Sequence, residues 1–263
     1  RNKKILLRSL TRKAGDCKLA VPMISMEAKL IAWSQSHGVD RETPVCPHYF
    51  GEIECRGLKA TRQIHANDVI LSVPEEILMT LDTAIRCPIV YAVWECGKTL
   101  GNVPSLRQIL IIHLLVEKMK GSASKWEAFI QCMPSEYDTI ENWDKSIVEE
   151  LQQPHLLQMA AQRISSTRSD FRNLQNIVKE LRSSGSSAAS IFGGGGPRWE
   201  DYAWATGAVN TRCCHVDCPA AEEGFSPAAG PSPGALVPLL DMFNHDPDPG
   251  VACAGFVPRG SGG

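Results

Sequence analysis

The chain has no apolar window close to the ~20 residues that a helix needs to cross a bilayer. Its longest apolar stretch, "ILIIHLLV" from Ile109 to Val116, is interrupted by His113. The start of the chain also lacks the basic, apolar, small-residue order of a secretory leader. There is no excess of charge of either sign: Lys and Arg number 27 against 29 Asp and Glu, so the net charge is −2. The balance gives no global reason to expect nucleic acid or an anionic membrane as partner. No compact disulfide framework is present either. The ten cysteines are scattered over 263 residues, and in an intracellular compartment, nucleus or cytoplasm, they are expected to stay reduced thiols. No P-loop, no G-x-S-x-G elbow and no H-E-x-x-H pair occurs, so the mechanisms carried by those motifs have no local support.

What is present is a chain long enough for one large domain or two modest ones, with an ordinary hydrophobic content of 43%. Residues 1–24 open with the basic "RNKKILLRSLTRK", read as a solvated arm ahead of a nuclear or nucleic-acid signal. The chain begins at Arg1 without Met and ends in "PRGSGG", which suggests a fragment. From 25 to 39, "SMEAKLIAWSQSHGV" predicts a short helix stopped at Gly38. "GLKATRQIHANDVILSV" (57–73) reads as two strands, Leu58 to Ile64 and Val69 to Val73, joined by the "HAND" turn and closed by Pro74. Residues 105–120 predict a strongly apolar helix capped by Ser105.

A further helical region is expected over 144–182, with Pro154 in a first turn. Leu157, Ile164, Phe171 and Val178 recur every seven residues, and Ala160, Leu174 and Leu181 form a companion row broken by Thr167, so this seam calls for a packing partner. "SSGSSAASIFGGGG" (183–196) has the composition of a flexible linker. The "RWEDYAWATGAVNTR" that follows, with Trp199, Tyr202, Trp204 and Val209, suggests another packed helix or turn. The resulting division is a basic arm (1–24), an N-terminal segment (25–97) that is β-rich over about 50–75, a helical insertion (98–182), a Gly/Ser-rich linker (183–198) and a C-terminal segment (199–263) that is β-rich over about 235–257. The fold class is α+β, and a compact core must bring the two β-rich ends together around the insertion.

Four places invite chemistry. "CCHVDC" (213–218) offers three thiols and an imidazole, the donors that zinc prefers, but adjacent cysteines seldom share one ion and no second C-x-x-C pair exists. Gly57 precedes a strand and would let backbone approach a ligand closely. Arg212 is the residue type that a carboxylate selects through paired hydrogen bonds. In "LVPLLDMFNHD" (236–246) an apolar run stops at Asp241, and Asn244 and His245 then stand side by side.

In order, these pieces resemble the SET-domain protein-lysine methyltransferases, in the class typified by the plant Rubisco large-subunit methyltransferase. "RGLKATRQIHANDVILSVPEEILMT" (56–80) is similar to the first SET segment, "KWEAFIQCMPSEYDT" (125–139) to the signature of the helical insertion, and "DYAWATGAVNTR" to the segment ending in Arg. "LVPLLDMFNH" is similar to the diagnostic V-P-x-x-D-x-x-N-H. "LDTAIR" after the second strand points to the branch of SET-domain-containing protein 4. The resemblance implies a β-fold of short strands split by a helical insertion, S-adenosylmethionine as cofactor and no metal. It implies that Asn244 bonds the methionine end and that His245 bonds the adenine through its backbone. Arg56, Gly57 and Leu58 would lie along the methionine part. Arg212 would face the cofactor carboxylate and the mouth of a lysine channel, and Asp241 the substrate side.

Two departures stand out. Cys55 occupies the place of the first glycine in the G-x-G turn. The family's catalytic tyrosine falls in a segment after the Asn-His pair, and Tyr49, Tyr91, Tyr137 and Tyr202 all precede it, so the catalytic residue is unknown and the SET fold is expected to be incomplete at the C-terminus. The expected partner is a protein presenting a lysine, histone or otherwise, with neither nucleic acid nor membrane. The competing reading is a non-catalytic interaction scaffold built on the helical insertion.

Overall fold

The structure is a computed structural model that describes residues 4–9, 26–50, 55–215, 234–244 and 254–258. Its strands are β1 (Lys4–Ser9), β2 (Val45–Phe50), β3 (Cys55–Ala60), β4 (Val69–Pro74), β5 (Cys213–Cys214), β6 (Ala235–Leu236) and β7 (Ala254–Pro258). Its helices are α1 (Met26–Ser36), α2 (Leu81–Ile85), α3 (Pro88–Thr99), α4 (Leu106–Lys120), α5 (Glu127–Gln131), α6 (Lys145–Glu149), α7 (Pro154–Ser183) and α8 (Trp199–Arg212). The chain divides into two compact units. One holds residues 1–78, 128–132 and 236–263; the other holds 79–127 and 133–235.

The first unit is the β-rich one, and it does bring the two ends of the chain together. Strand β1 lies between β4 and β7, antiparallel to both, with Leu7 opposite Leu71 on one side and Phe256 on the other. This corrects the reading of residues 1–24 as a solvated arm, since backbone groups of Lys4–Ser9 are taken up by two neighbouring strands. The two strands expected on either side of "HAND" are present as β3 and β4, the first ending at Ala60 rather than Ile64, and they do not pair with each other. Strand β3 pairs with β2, which lies upstream of it, in the register Tyr49 to Arg56 and His48 to Gly57. The "HAND" turn, with Asn67 at φ 69° and Asp68 accepting from the His65 amide at 2.8 Å, instead carries the chain from one sheet to the other. Strand β2 escaped prediction because "VCPHYF" contains Pro47 and has no apolar alternation. Strand β4 supplies Ile70, Leu71 and Val73 to this unit's core, beside Ile77 and Leu78.

The second unit is helical and is organised on α4. Ser105 caps it in a reciprocal arrangement: its hydroxyl accepts from the Gln108 amide at 3.3 Å, and the Gln108 side chain accepts from the Ser105 amide. From Ile109 to Glu117 every residue of α4 is buried, as a helix that is apolar all round must be. Helices α2, α3 and α8 pack on it, and α7 packs on α3. The seven-residue seam of α7 is buried from Ala160 through Phe171, Leu174, Ile177, Val178 and Leu181. Leu157 and Ile164 are only half-buried, so the seam fades toward Pro154. Thr167 is buried despite its hydroxyl, because that group donates to the Arg163 carbonyl at 3.0 Å.

The expected linker is corrected as well. Residues Ser187–Phe192 form a short 3-10 helix whose Ala188, Ala189 and Phe192 are buried against this unit. Small side chains that looked like linker composition serve close packing instead. Among the described residues no disulfide is formed, and no helix is long and apolar enough to cross a membrane.

Candidate functional site

The "LVPLLDMFN" segment ends its apolar run because the chain turns there. Leu239 is held at φ 69° and ψ −39°, an uncommon conformation for a side chain branched beyond Cβ, and Leu240–Met242 then make one 3-10 turn. The Asp241 amide donates to the Val237 carbonyl at 3.2 Å, and the Phe243 amide to that of Leu240 at 3.1 Å. Leu236, Val237, Leu239, Leu240 and Met242 are buried and anchor the turn. Asn244 emerges exposed immediately after it.

Gly57 and Asn244, far apart in sequence, meet. A Cβ placed on Gly57 would stand 2.9 Å from Asn244 Cγ, closer still to Asn244 Nδ2, and 3.1 Å from Phe50 Cε2. The side-chain amide of Asn244 thus occupies the space that the glycine leaves open, space that the sequence alone suggests for a ligand. Asn244 is consequently the group left facing outward at this point. His245 lies outside the described residues.

Alternation along β3 sorts the other predicted residues. Neighbours in a strand point to opposite faces, so Arg56 and Leu58 face away from Asn244. Arg56 is tied to Glu27 of α1, Nη1 to Oε1 at 3.5 Å, with both side chains about 15% exposed, and its Nη1 also reaches Cys132 Sγ at 3.7 Å. Tyr49, the cross-strand partner of Arg56, donates its hydroxyl to the same Glu27 carboxylate at 3.2 Å, and burial with that neighbouring carboxylate pushes the phenol pKa up. Leu58 lines a cavity of about 300 Å³ between the hairpin and α1, together with Ile31, Val39, Val45, Pro47 and Leu239. Thus, of the trio Arg56, Gly57 and Leu58, it is Gly57 whose face of the strand is turned toward Asn244.

Asp241 belongs to the same unit and keeps one carboxylate oxygen shielded from solvent. Arg212 ends α8 in the helical unit, with its guanidinium carbon 5.8 Å from the centre of the Tyr137 ring. Tyr137 in turn packs on Gly207, where a Cβ would lie 2.6 Å from Tyr137 Cβ, and Trp204 donates its indole N–H to the Pro134 carbonyl at 2.8 Å. These contacts hold the 133–137 segment against α8 beside Arg212. Of the proposed zinc donors, Cys218 lies outside the described residues, and among the described residues no group of three or more metal-binding side chains gathers. Cys213 is half-buried, and desolvation pushes its thiol up to about 12, which disfavours the thiolate that zinc needs.

The residues that sequence reasoning passed over are Glu27, His48, Tyr49 and Phe50. Their signal was the register of β2 on β3, which could not be read because β2 itself was not expected.

No protein-family model matches the chain. The actin-histidine N-methyltransferases of Gallus gallus and Homo sapiens are 28% identical to it over 219 residues, or 82% of this chain and 34% and 33% of theirs. Among solved structures, the SET domain of LSMT bound to lysine and AdoHcy superposes with a TM-score of 0.64 at 22% identity, over 85% of this chain and 44% of that one. Rubisco LSMT bound to AdoMet gives a TM-score of 0.61 at 23% identity, over 85% and 45%. The fold is that of a SET domain. The SET fold accounts for the paired motifs: its two β-rich pieces carry Gly57 and Asn244, and a helical block is inserted between them. The chain spans about a third of the length of these curated relatives and under half of the solved chains. The assignment to the branch of SET-domain-containing protein 4 rests on "LDTAIR" alone.

Proposed function

We propose that this chain is the cofactor-binding part of an S-adenosylmethionine-dependent protein N-methyltransferase whose target is a lysine side chain. The observation that carries the reading is the contact of Asn244 with Gly57. It brings the exposed Asn244 against strand β3 at Gly57, where its amide fills the space that a Cβ would take. Asn244 offers an amide there, with two donor hydrogens and an acceptor oxygen, which suits a ligand carrying both an ammonium and a carboxylate. A bound S-adenosylmethionine would supply an electrophilic methyl on a sulfonium.

The residues of this chain would hold and align. Asn244 would take the amino-acid end and His245 the adenine through its backbone, while the backbone of Arg56, Gly57 and Leu58 would run along the methionine part. Arg212 and Asp241 are assigned to the carboxylate and to the substrate side. Such a reaction is an in-line displacement. The neutral amine forms a bond to the methyl carbon, the carbon–sulfur bond breaks with its electron pair going to sulfur, and the amine then loses a proton. Alignment alone can contribute roughly 7 to 11 kcal/mol to the rate of a step of this kind.

Lysine is favoured by the likeness of the fold to LSMT, and histidine by the names of the 28% identical relatives. The test is transfer of tritium from methyl-labelled S-adenosylmethionine to nuclear and cytoplasmic proteins by the protein carrying this chain, followed by hydrolysis of the labelled product. Methyllysine supports the reading and methylhistidine replaces lysine in it. Absence of both transfer and cofactor binding sinks it in favour of the scaffold.

A further inference from the structure

Phe50 is the last residue of β2, and 41% of it is exposed. It lies on the same face of the β2–β3 hairpin as His48 and Gly57, because His48 is the register partner of Gly57 and Phe50 is two residues further along. Its ring edge reaches to 3.1 Å from where a Gly57 Cβ would be, the space occupied by the Asn244 amide. The imidazole of His48 braces the ring from within the hairpin, in a T-shaped contact with centroids 4.9 Å apart and planes at 83°. An open aromatic surface therefore stands next to the outward-facing amide of Asn244, held in place by a neighbouring ring.

We propose that Phe50, braced by His48, is the aromatic surface against which the cofactor's cationic sulfonium rests, so that this site prefers the charged methyl donor to its neutral thioether product. The proposal rests on the cofactor reading above and adds a residue and a selectivity to it. The chemistry is the attraction of a cation for the electron-rich face of an aromatic ring, which is strongest for desolvated cations and for tryptophan. Of the hairpin's two cations, Arg56 is turned to the other face, where Glu27 pairs with it, and Lys59 lies on the Phe50 face but two register pairs further along, opposite Cys46 and beyond the His48–Gly57 pair. The methyl donor and its product differ only at sulfur, in one methyl group and one positive charge, so the change in their affinity ratio when Phe50 is substituted reports on this interaction.

The experiment is calorimetric titration of the full chain with S-adenosylmethionine and, separately, with S-adenosylhomocysteine, for wild type, Phe50→Leu and Phe50→Trp. Leucine keeps the apolar bulk and removes the ring. Phe50→Leu is expected to weaken binding of the charged donor roughly 2- to 30-fold, the span of such contacts from exposed to desolvated settings, and to change binding of the thioether less than about 2-fold. Phe50→Trp is expected to keep or raise the preference for the donor, and it guards against a loss caused only by misfolding. Equal weakening of both ligands by Phe50→Leu, or no change in either, overturns the proposal. Failure of wild type to bind both ligands refutes the cofactor reading itself, and this inference with it.

Discussion

Replacing Gly57 by alanine tests the contact on which the site is built. The backbone at this position is not left-handed, so alanine meets no conformational penalty there. By itself, a glycine-to-alanine change in a strand is expected to stabilise by about 0.5 to 1 kcal/mol. Against that, the new methyl would lie 2.9 Å from Asn244 Cγ and 3.1 Å from Phe50 Cε2. Overpacking of this kind costs about 1 to 3 kcal/mol, so the net loss is expected to fall between about 0 and 2.5 kcal/mol. Most of the strain is relieved when the amide is removed. The informative assay is therefore a double-mutant cycle in urea denaturation with Gly57→Ala, Asn244→Ala and the pair. A coupling of about 1 to 2 kcal/mol is expected, within the range for residues in contact. Gly57→Ala should then be nearly neutral, or stabilising, in the Asn244→Ala background. The same cost for Gly57→Ala in both backgrounds would refute the reasoning, because the glycine would then be required by something other than Asn244.

Two further outcomes are expected. His113 is buried in α4 beside Trp126 and Lys120, and burial pushes its pKa from 6.5 down to about 3, with Lys120 and Lys125 adding to the effect. Between those values the unfolded chain binds a proton that the folded chain does not, so this contribution to stability is full above about 6.5 and is lost as pH falls, by up to about 1.4 kcal/mol per pH unit; urea midpoints from neutral pH to about 5 should fall more steeply in wild type than in His113→Leu, and equal slopes would contradict the assignment. Gly207→Ala should lower the melting temperature despite the gain of about 1 kcal/mol in helix propensity, because the methyl would lie 2.6 Å from Tyr137 Cβ; an unchanged or higher melting temperature would show that the 133–137 segment gives way freely.

Much of the helical unit was legible because its determinants are local. Ser105 and Gln108 stand three residues apart, so the cap of α4 could be read directly, and Pro154 opens α7 as its ring geometry favours. The strands were harder. Residues after Gly57 do not show their partner, because β3 pairs with a strand upstream that carries a proline and exposes Tyr49 and Phe50 at its end. Ala188 and Ala189 looked like linker residues because composition does not distinguish a small side chain in solvent from one in close packing.

At the candidate site, the resemblance implied that Gly57 and Asn244 both lie along the methionine part of a cofactor, but not that they touch; neither spacing nor periodicity connects residues so distant in sequence, and the contact is seen only in the structure. Which way Arg56 points was within reach of strand alternation. Once Gly57 is placed toward Asn244, its neighbour must face α1, and there Glu27 receives it. The shielding of one Asp241 oxygen and the approach of Arg212 to the Tyr137 ring depend on tertiary packing and could be found only in the structure.

The central claim is that the Gly57–Asn244 contact forms part of a seat for S-adenosylmethionine. The most direct measurement is calorimetric titration of that cofactor into the wild-type protein and into Asn244→Ala. The account predicts stoichiometric binding by wild type and a loss of at least about tenfold in Asn244→Ala, the cost of leaving one or two polar groups of a bound ligand without partners. Binding of equal strength in both proteins, or none in wild type, would contradict it.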